Sequence, residues 1–276
     1  MKARIITGVI LAAGLIAVCL YGPLWLIYGA LQLAAIIGLL ELLKMAGEYE
    51  PTTCSSPLGD RVGALLVGTL LPAMAYFAPD LVLPVVLLAP VLVLGSFLLA
   101  PHPIETVGRR MATAVTVVFY IGLLFAALIH LATHSAGADS GRALLLLGAM
   151  VFLGDTGAFF FGKYFGRRKL YPLVSPSKTW MGALGGVLGS LLGATAFKLV
   201  LAAGLTWGDV LALALPCAVL GQVGDLTESL FKRSYGVKDS GGLLPGHGGV
   251  LDRMDGILFA APYMLFYAFF FGLDLV

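Results

Sequence analysis

The chain has 276 residues, of which 59% are hydrophobic and only 12% are charged, and its formal net charge is +2. Soluble domains contain roughly 45–50% apolar and about 25% charged residues, so this composition excludes an ordinary soluble domain and indicates a membrane protein. The small net charge gives no basis for a nucleic-acid partner, and none is expected.

Nine apolar segments, each about long enough to cross a bilayer, follow one another along the chain. A spanning helix needs roughly 20 mainly apolar residues. The predicted spans are 5–22, 24–45, 62–78, 81–100, 111–133, 143–163, 180–203, 209–231 and 254–274. The first lacks a clear small-residue cleavage site, so we interpret it as a retained helix and not as a signal peptide. The fold class predicted is an all-α polytopic integral membrane protein with about nine transmembrane helices.

The distribution of basic residues predicts how these helices are oriented. With nine spans, all but two of the 17 Lys and Arg residues fall on the side of the N-terminus, the exceptions being Arg142 and Lys198. Since basic loops face the cytoplasm, we expect a cytoplasmic N-terminus and polar loops that are exposed to the cytoplasm.

We interpret residues 1–140 as scaffold helices and 141–276 as a catalytic region, both within one integrated membrane domain. Glu41 is the most internal charged residue of the scaffold, and we expect its side chain to snorkel to the membrane boundary. The spacing of small residues in 180–203 predicts close helix packing. The glycines concerned are Gly182, Gly185, Gly186, Gly189 and Gly193.

Charged residues and glycines are concentrated between Ser229 and Asp255, in a chain that is otherwise apolar. A charged residue at a helix centre in the bilayer costs roughly 2.5–3.5 kcal/mol, so charges of both signs gathered in one segment indicate chemistry. The candidate residues of this segment are Ser229, Lys232, Arg233, Lys238, Asp239, His247, Gly248, Gly249, Asp252, Arg253 and Asp255.

Carboxylates beside basic side chains indicate a divalent cation and phosphate. At 100° per residue, Asp225 shares one helical stripe with Glu228, Ser229 and Lys232. An Asp–Lys pair that only holds helices together is an alternative interpretation of this stripe. Asp252 and Asp255 are three residues apart, so both can lie on one side of a turn, and an N-cap role for Asp255 is an equal alternative. Because Mg²⁺ prefers hard oxygen ligands, we expect a Mg²⁺ site at the three aspartates, and a second cation is left open.

Two further polar patches lie on the same predicted face. Asp155 is about two turns inside the predicted helix 143–163, so it should meet a cation or a polar ligand. Ser177 and Lys178 open the predicted helix 180–203, and a helix N-terminus is a favourable anion site. An ordinary hydroxyl cap is an equal alternative for this turn.

The segment from Ser229 to Asp255 resembles the signature of the phosphatidate cytidylyltransferases, the CDP-diacylglycerol synthases. The family pattern S-x-apolar-K-R-x4-K-D-x-small-x2-apolar-P-x-H-G-G-apolar-x-D-R-apolar-D is matched at every fixed position. The runs GDTGAFFFGK and SPSKTW are similar to the family's accessory motifs. Met181 departs from the pattern, where an acidic residue is expected. The likeness covers roughly residues 150–276.

The resemblance implies an enzyme of a bacterial-type inner membrane that joins CTP and phosphatidate to give CDP-diacylglycerol and pyrophosphate, and it suggests a homodimer. The implied catalytic residues are Lys232, Arg233, Lys238, Asp239 and Asp252. The implied substrate-binding residues are Asp155, Ser177, Lys178, Ser229, His247, Gly248, Gly249 and Arg253. The implied metal ligands are Asp225, Asp252 and Asp255.

Two other functions remain open at the level of sequence. An ion or solute transporter also carries intramembrane acids and glycine-interrupted helices, although this chain shows no internal repeat and its charges gather at one face. A related enzyme that uses CTP on another membrane lipid, such as a CDP-archaeol synthase or a polyprenol kinase, would need the same metal and phosphate chemistry.

Overall fold

The computed structural model describes residues 13–49, 58–99, 101–134, 140–242, 248–273 and 275 of the chain. Residues 13–21 are helical. The helices that follow are α1 Leu24–Tyr49, α2 Leu58–Phe77, α3 Val82–Ser96, α4 Ile104–Val117, α5 Leu124–His134, α6 Ser140–Phe165, α7 Trp180–Leu201, α8 Trp207–Ser234 and α9 Leu251–Phe271. A π-helical turn, Val118–Leu123, joins α4 to α5. Strands β1 Lys169–Tyr171 and β2 Ser175–Thr179 form an antiparallel pair that the sequence analysis did not predict.

Seven helical stretches within the described ranges are long and apolar enough to cross a membrane. They are Leu24–Gly47, Pro79–Leu99, Ile104–His134, Gly141–Phe165, Trp180–Leu201, Trp207–Ser234 and Leu251–Phe271. The predicted class of helical integral membrane protein is therefore confirmed. The count of nine stays a prediction, because the segment 5–22 lies partly outside the described residues and Arg61–Phe77 is a shorter apolar helix.

The chain forms two compact units, each assembled from separate segments. The first unit comprises Met1–Ile27, Leu131–Phe231 and Met254–Val276, and the second comprises Tyr28–His130 and Lys232–Arg253. The division of the chain at residue 140 into scaffold and catalytic regions concerns function, and it stays a prediction.

In the first unit, α6 and α7 meet at backbone contact. Gly157 and Gly185 face each other so closely that a Cβ on either would overlap the carbonyl oxygen of the other. A Cβ on Gly189 would overlap the carbonyl of Leu153. Small residues let helix backbones approach where larger side chains would separate them. The predicted close packing of the glycine-rich helix is confirmed.

Substituting Gly189 with alanine should lower the free energy of unfolding by about 1–3 kcal/mol, the usual cost of overpacking. Alanine is also a better helix former than glycine, by about 1 kcal/mol. The cost of overpacking should exceed this gain, because the Leu153 carbonyl belongs to the backbone and cannot rotate away from the added Cβ. The thermal midpoint in lipid nanodiscs measures the effect. Gly29→Ala on α1 is the matched control, since a Cβ there meets nothing within 4 Å. A midpoint for Gly189→Ala that equals or exceeds that of the control would contradict the packing argument.

Helices α8 and α9 also approach closely in the first unit. A Cβ on Gly224 would overlap the carbonyl of Asp255, and Gly221 lies against Gly256. Because Gly224 directly precedes Asp225, this crossing places the backbones of two predicted metal ligands, Asp225 and Asp255, on adjoining helical turns.

In the second unit, α1 packs through a stripe of residues spaced three or four apart. Ala35, Leu39, Leu42 and Met45 are each no more than 3% exposed, which is the spacing of residues on one face of a helix. Glu41 lies beside this stripe. The packing of α1 therefore determines where the Glu41 carboxylate lies.

Candidate active site

The residues of the predicted polar stripe on α8 are buried to different degrees. Glu228 is buried, and Asp225 and Ser229 are partly buried. Leu230, in contrast, is 53% exposed, as expected for a side chain on the opposite face of the helix.

A glycine cap ends α8. The chain then enters the signature loop, residues 235–250, which is the segment between α8 and α9. Gly236 has a φ of 68°, its amide donates to the carbonyl of Arg233 at 3.1 Å, and the amide of Val237 donates to the carbonyl of Lys232 at 2.9 Å. These two bonds are those of a Schellman motif, which places glycine in the left-handed region. The cap positions Lys232 in the last turn of the helix.

Asp252, in the first turn of α9, anchors this loop. Its Oδ1 lies 2.6 Å from the Nζ of Lys232. Its Oδ2 accepts hydrogen bonds from the amide and hydroxyl of Ser240, both at 2.9 Å, and from the amide of Gly249 at 2.8 Å. The Lys232 and Asp252 side chains are 13% and 11% exposed, so water screens their attraction only weakly. The structure thus joins the two ends of the signature segment.

Two signature glycines are required by the close approach of this loop to its anchor. Gly248 has a φ of 79°, and a Cβ on it would lie 2.7 Å from Asp252 Oδ2. A Cβ on Gly249 would overlap the hydroxyl of Ser240. Their expected contact with a nucleotide stays a prediction. His247 lies outside the described residues.

Glu41 supports the same loop, and the sequence analysis missed this role. Its Oε1 accepts from the amide of Val250 at 3.0 Å, and its Oε2 accepts from the amide of Leu251 at 3.0 Å. The Ser240 hydroxyl lies 3.2 Å from Oε2 and shares its single proton between Glu41 and Asp252. Glu41 is 8% exposed. The expected snorkelling is wrong, because the carboxylate binds amides that open α9. The only sequence signal was an acid inside an apolar helix.

The hairpin before α7 brings Lys178 to α8 within the first unit. Lys178 Nζ lies 2.6 Å from Asp225 Oδ2, with side chains 23% and 41% exposed. The hydroxyl of Thr179 accepts from the amide of Gly182 at 3.0 Å and caps α7. The alternative of a hydroxyl cap is therefore confirmed for Thr179, while the neighbouring lysine pairs with a predicted metal ligand. Ser177 is exposed beside them.

Asp255 and Asp155 occupy different settings in the first unit. The alternative that Asp255 is the N-cap of the last helix is wrong, because α9 begins at Leu251. Its Oδ1 accepts from the amide of Gly256 at 2.8 Å. Asp155 is exposed on α6, so its expected cation or polar ligand stays a prediction.

The remaining signature residues of the second unit are surface residues. Arg233, Lys238, Asp239 and Arg253 are all exposed. The guanidinium of Arg233 donates to the carbonyl of Val237 at 3.4 Å.

The donor chemistry fits the expected Mg²⁺. Mg²⁺ takes one or two carboxylates and fills its other positions with water and substrate phosphate, and Asp225 and Asp255 supply such oxygens from adjoining turns. At Asp252, Oδ2 already accepts three hydrogen bonds, so a cation at Oδ1 would require Lys232 to move to another anion. Among the described residues, no three His, Cys, Asp or Glu side chains form a metal-binding group, and the metal site stays a prediction.

Comparison with known proteins places this arrangement in a family. The chain belongs to the cytidylyltransferase family, whose profile matches residues 2–271. The phosphatidate cytidylyltransferase of Bacillus subtilis (strain 168) is 34% identical over 96% of this chain and 97% of its own length. Those of Staphylococcus haemolyticus (strain JCSC1435) and Staphylococcus aureus (strain COL) are also 34% identical, with the same shares covered. The resemblance found in the sequence is confirmed.

Proposed function

We propose that the chain is a phosphatidate cytidylyltransferase, which joins CTP and phosphatidate to give CDP-diacylglycerol and pyrophosphate. The observation that carries this conclusion is the likeness to relatives of that name over 96% of the chain. Two lysine–carboxylate pairs, Lys178–Asp225 and Lys232–Asp252, support it. Lys178 lies in the SPSKTW run, and both Lys232 and Asp252 lie in the signature segment.

The transfer of the cytidylyl group to phosphatidate requires charge neutralisation more than proton transfer. A phosphate monoester has a second pKa near 6, so phosphatidate is largely a dianion at neutral pH and needs no strong general base. One of its phosphate oxygens attacks the α-phosphorus of CTP, and the bond to the departing pyrophosphate breaks. Two anions must meet and a third must leave, so positive charge is the main requirement.

The two lysine–carboxylate pairs suit this requirement. Each lysine can move from its carboxylate to a substrate phosphate oxygen, which makes Asp225 and Oδ1 of Asp252 available to a cation. We retain the sequence prediction that Asp225, Asp252 and Asp255 hold Mg²⁺, with a second cation as an extension. Once bound, Mg²⁺ would neutralise the CTP phosphates.

The other candidates complete the proposal. Arg233 and Lys238 would neutralise phosphatidate or the departing pyrophosphate. Asp239 is retained as a catalytic candidate. The proposed substrate-binding residues are Asp155, Ser177, Lys178, Ser229, His247, Gly248, Gly249 and Arg253.

A membrane setting suits both substrates. Phosphatidate keeps its acyl chains in the bilayer, whereas CTP arrives from the cytosol, so the site should open to both. We therefore propose nine spans, a cytoplasmic N-terminus and a site facing the cytoplasm in a bacterial-type inner membrane. The asymmetry of the basic residues supports this orientation. A homodimer is part of the proposal.

Pyrophosphate release by the purified protein in lipid tests the proposed function. Release should require CTP, Mg²⁺ and phosphatidate together. Release with polyprenyl phosphate or another lipid acceptor, but not with phosphatidate, would overturn the substrate. An intact preparation that releases no pyrophosphate with any acceptor but conducts ions in proteoliposomes would overturn the enzyme itself in favour of a transporter.

A further inference from the structure

We propose that Glu41 is a positioning residue that holds the signature loop on α9 and thereby sets the geometry of the Lys232–Asp252 pair. Its catalytic consequence rests on the proposed function. The loop-holding itself rests on contacts within the second unit.

The start of α9 lacks a side-chain cap of its own. Gly249 and Val250 precede Leu251, and neither carries an oxygen that can accept from the first helical amides. The Glu41 carboxylate accepts from the amides of Val250 and Leu251, each at 3.0 Å, from 209 and 210 residues away in sequence. A negative charge at this position also interacts favourably with the helix dipole. Glu41 therefore acts as the cap that the local sequence does not supply.

Ser240 connects Glu41 to the proposed catalytic pair. It is 3% exposed, and its hydroxyl lies 3.2 Å from Glu41 Oε2 and 2.9 Å from Asp252 Oδ2. Asp252 in turn holds Lys232 at 2.6 Å. One buried side chain thus separates Glu41 from the carboxylate that positions the lysine.

The loop also packs directly on the Glu41 carboxylate. A Cβ on Gly241 would overlap this carboxylate, and a Cβ on Gly249 would lie 2.6 Å from both of its oxygens. The small residue that the signature requires at 241 therefore has a physical reason, which is the space occupied by Glu41.

The contacts require a carboxylate and not merely a side chain of that shape. All three groups that contact Glu41 here, two amides and a hydroxyl, can donate. Glutamine has the same shape, but its NH₂ group is a donor only, so at least one oxygen position would place donor against donor. Aspartate keeps the charge on a side chain that is one methylene shorter.

Glu41→Gln should lower kcat by about 10- to 100-fold, the scale of effect for a small displacement of catalytic groups, with a smaller change in the KM for CTP. Glu41→Asp should retain more activity than Glu41→Gln. If Glu41 acts through Ser240, the losses caused by Glu41→Gln and Ser240→Ala should be less than additive in the double variant. Glu105→Gln is the matched control, since Glu105 is an exposed acid on α4.

Hydrogen exchange at the amides of Val250 and Leu251, which donate to Glu41, provides a readout that needs no activity. Exchange should be faster in Glu41→Gln than in wild type or in Glu105→Gln. Unchanged exchange, or a wild-type kcat in the folded fraction, would overturn the proposal. If wild type releases no pyrophosphate, the proposed function fails and exchange alone decides the role of Glu41. If Glu41→Gln does not fold, the same measurement on Glu41→Asp decides it.

Discussion

Asp252→Asn should reduce pyrophosphate release by about 10²- to 10³-fold, the scale of effect for loss of a preorganised charged contact. Asp252 holds Lys232 at 2.6 Å and also accepts two bonds from Ser240 and one from Gly249. An asparagine must turn its NH₂ group toward one of these donors. It also leaves a lysine that is 13% exposed without its carboxylate. Breaking a fully buried pair costs about 3–5 kcal/mol, so breaking this partly buried pair should cost less.

The measurement is pyrophosphate release with saturating CTP, Mg²⁺ and phosphatidate. Asp80→Asn serves as the matched control, because Asp80 is an exposed acid in the 3₁₀ turn before α3. We expect the control to keep wild-type turnover. Retention of more than about a tenth of wild-type activity in Asp252→Asn would show that neither the ion pair nor the loop anchor is needed for catalysis.

Asp225→Asn should raise the Mg²⁺ concentration needed for half-maximal rate and lower turnover by about 10²-fold, with little loss of stability. Its ion pair with Lys178 is partly open to solvent, the side chains being 41% and 23% exposed. Pairs that water screens to this degree contribute about 0–1 kcal/mol. A large loss of activity would therefore reflect chemistry and not unfolding.

The roles of Asp225 and Lys178 are distinguished by two measurements on each variant. One is the rate of pyrophosphate release as a function of Mg²⁺ concentration, and the other is the thermal midpoint of unfolding. Lys178→Met should lower the rate by raising the KM for CTP, and its Mg²⁺ requirement should stay near that of wild type. An unchanged Mg²⁺ requirement in Asp225→Asn would contradict its role as a metal ligand. A fall in the thermal midpoint comparable to that of Gly189→Ala would instead indicate a structural role.

Local sequence was sufficient for features that depend on neighbours along the chain. Long apolar stretches predicted membrane helices, because crossing hydrocarbon demands length and hydrophobicity from each helix separately. Glycine spacing predicted close packing of α7, since only small residues permit that approach, and the structure identified α6 as the partner. The charges between Ser229 and Asp255 indicated a functional segment, because they would be too costly in a membrane protein without a function. The resemblance of this segment to a known signature then indicated the family.

These sequence patterns could not show which residues each charged side chain would contact. The hairpin that carries Lys178 to Asp225 and the contact of Lys232 with Asp252 depend on how separate segments fold back on one another. The partners of each ion pair lie on different segments of the chain, so no periodic spacing in the sequence relates them.

Composition, membrane helices, family and the set of chemical groups were thus determined by the sequence itself. Tertiary structure alone decided how those groups are paired, and Glu41 is the clearest case. In sequence it is one acid in an apolar helix, for which snorkelling was a reasonable prediction. In the fold, the buried face of α1 sets its carboxylate against amides more than 200 residues away. A buried charge must find donors, and only the packing of distant segments determines which donors are within reach.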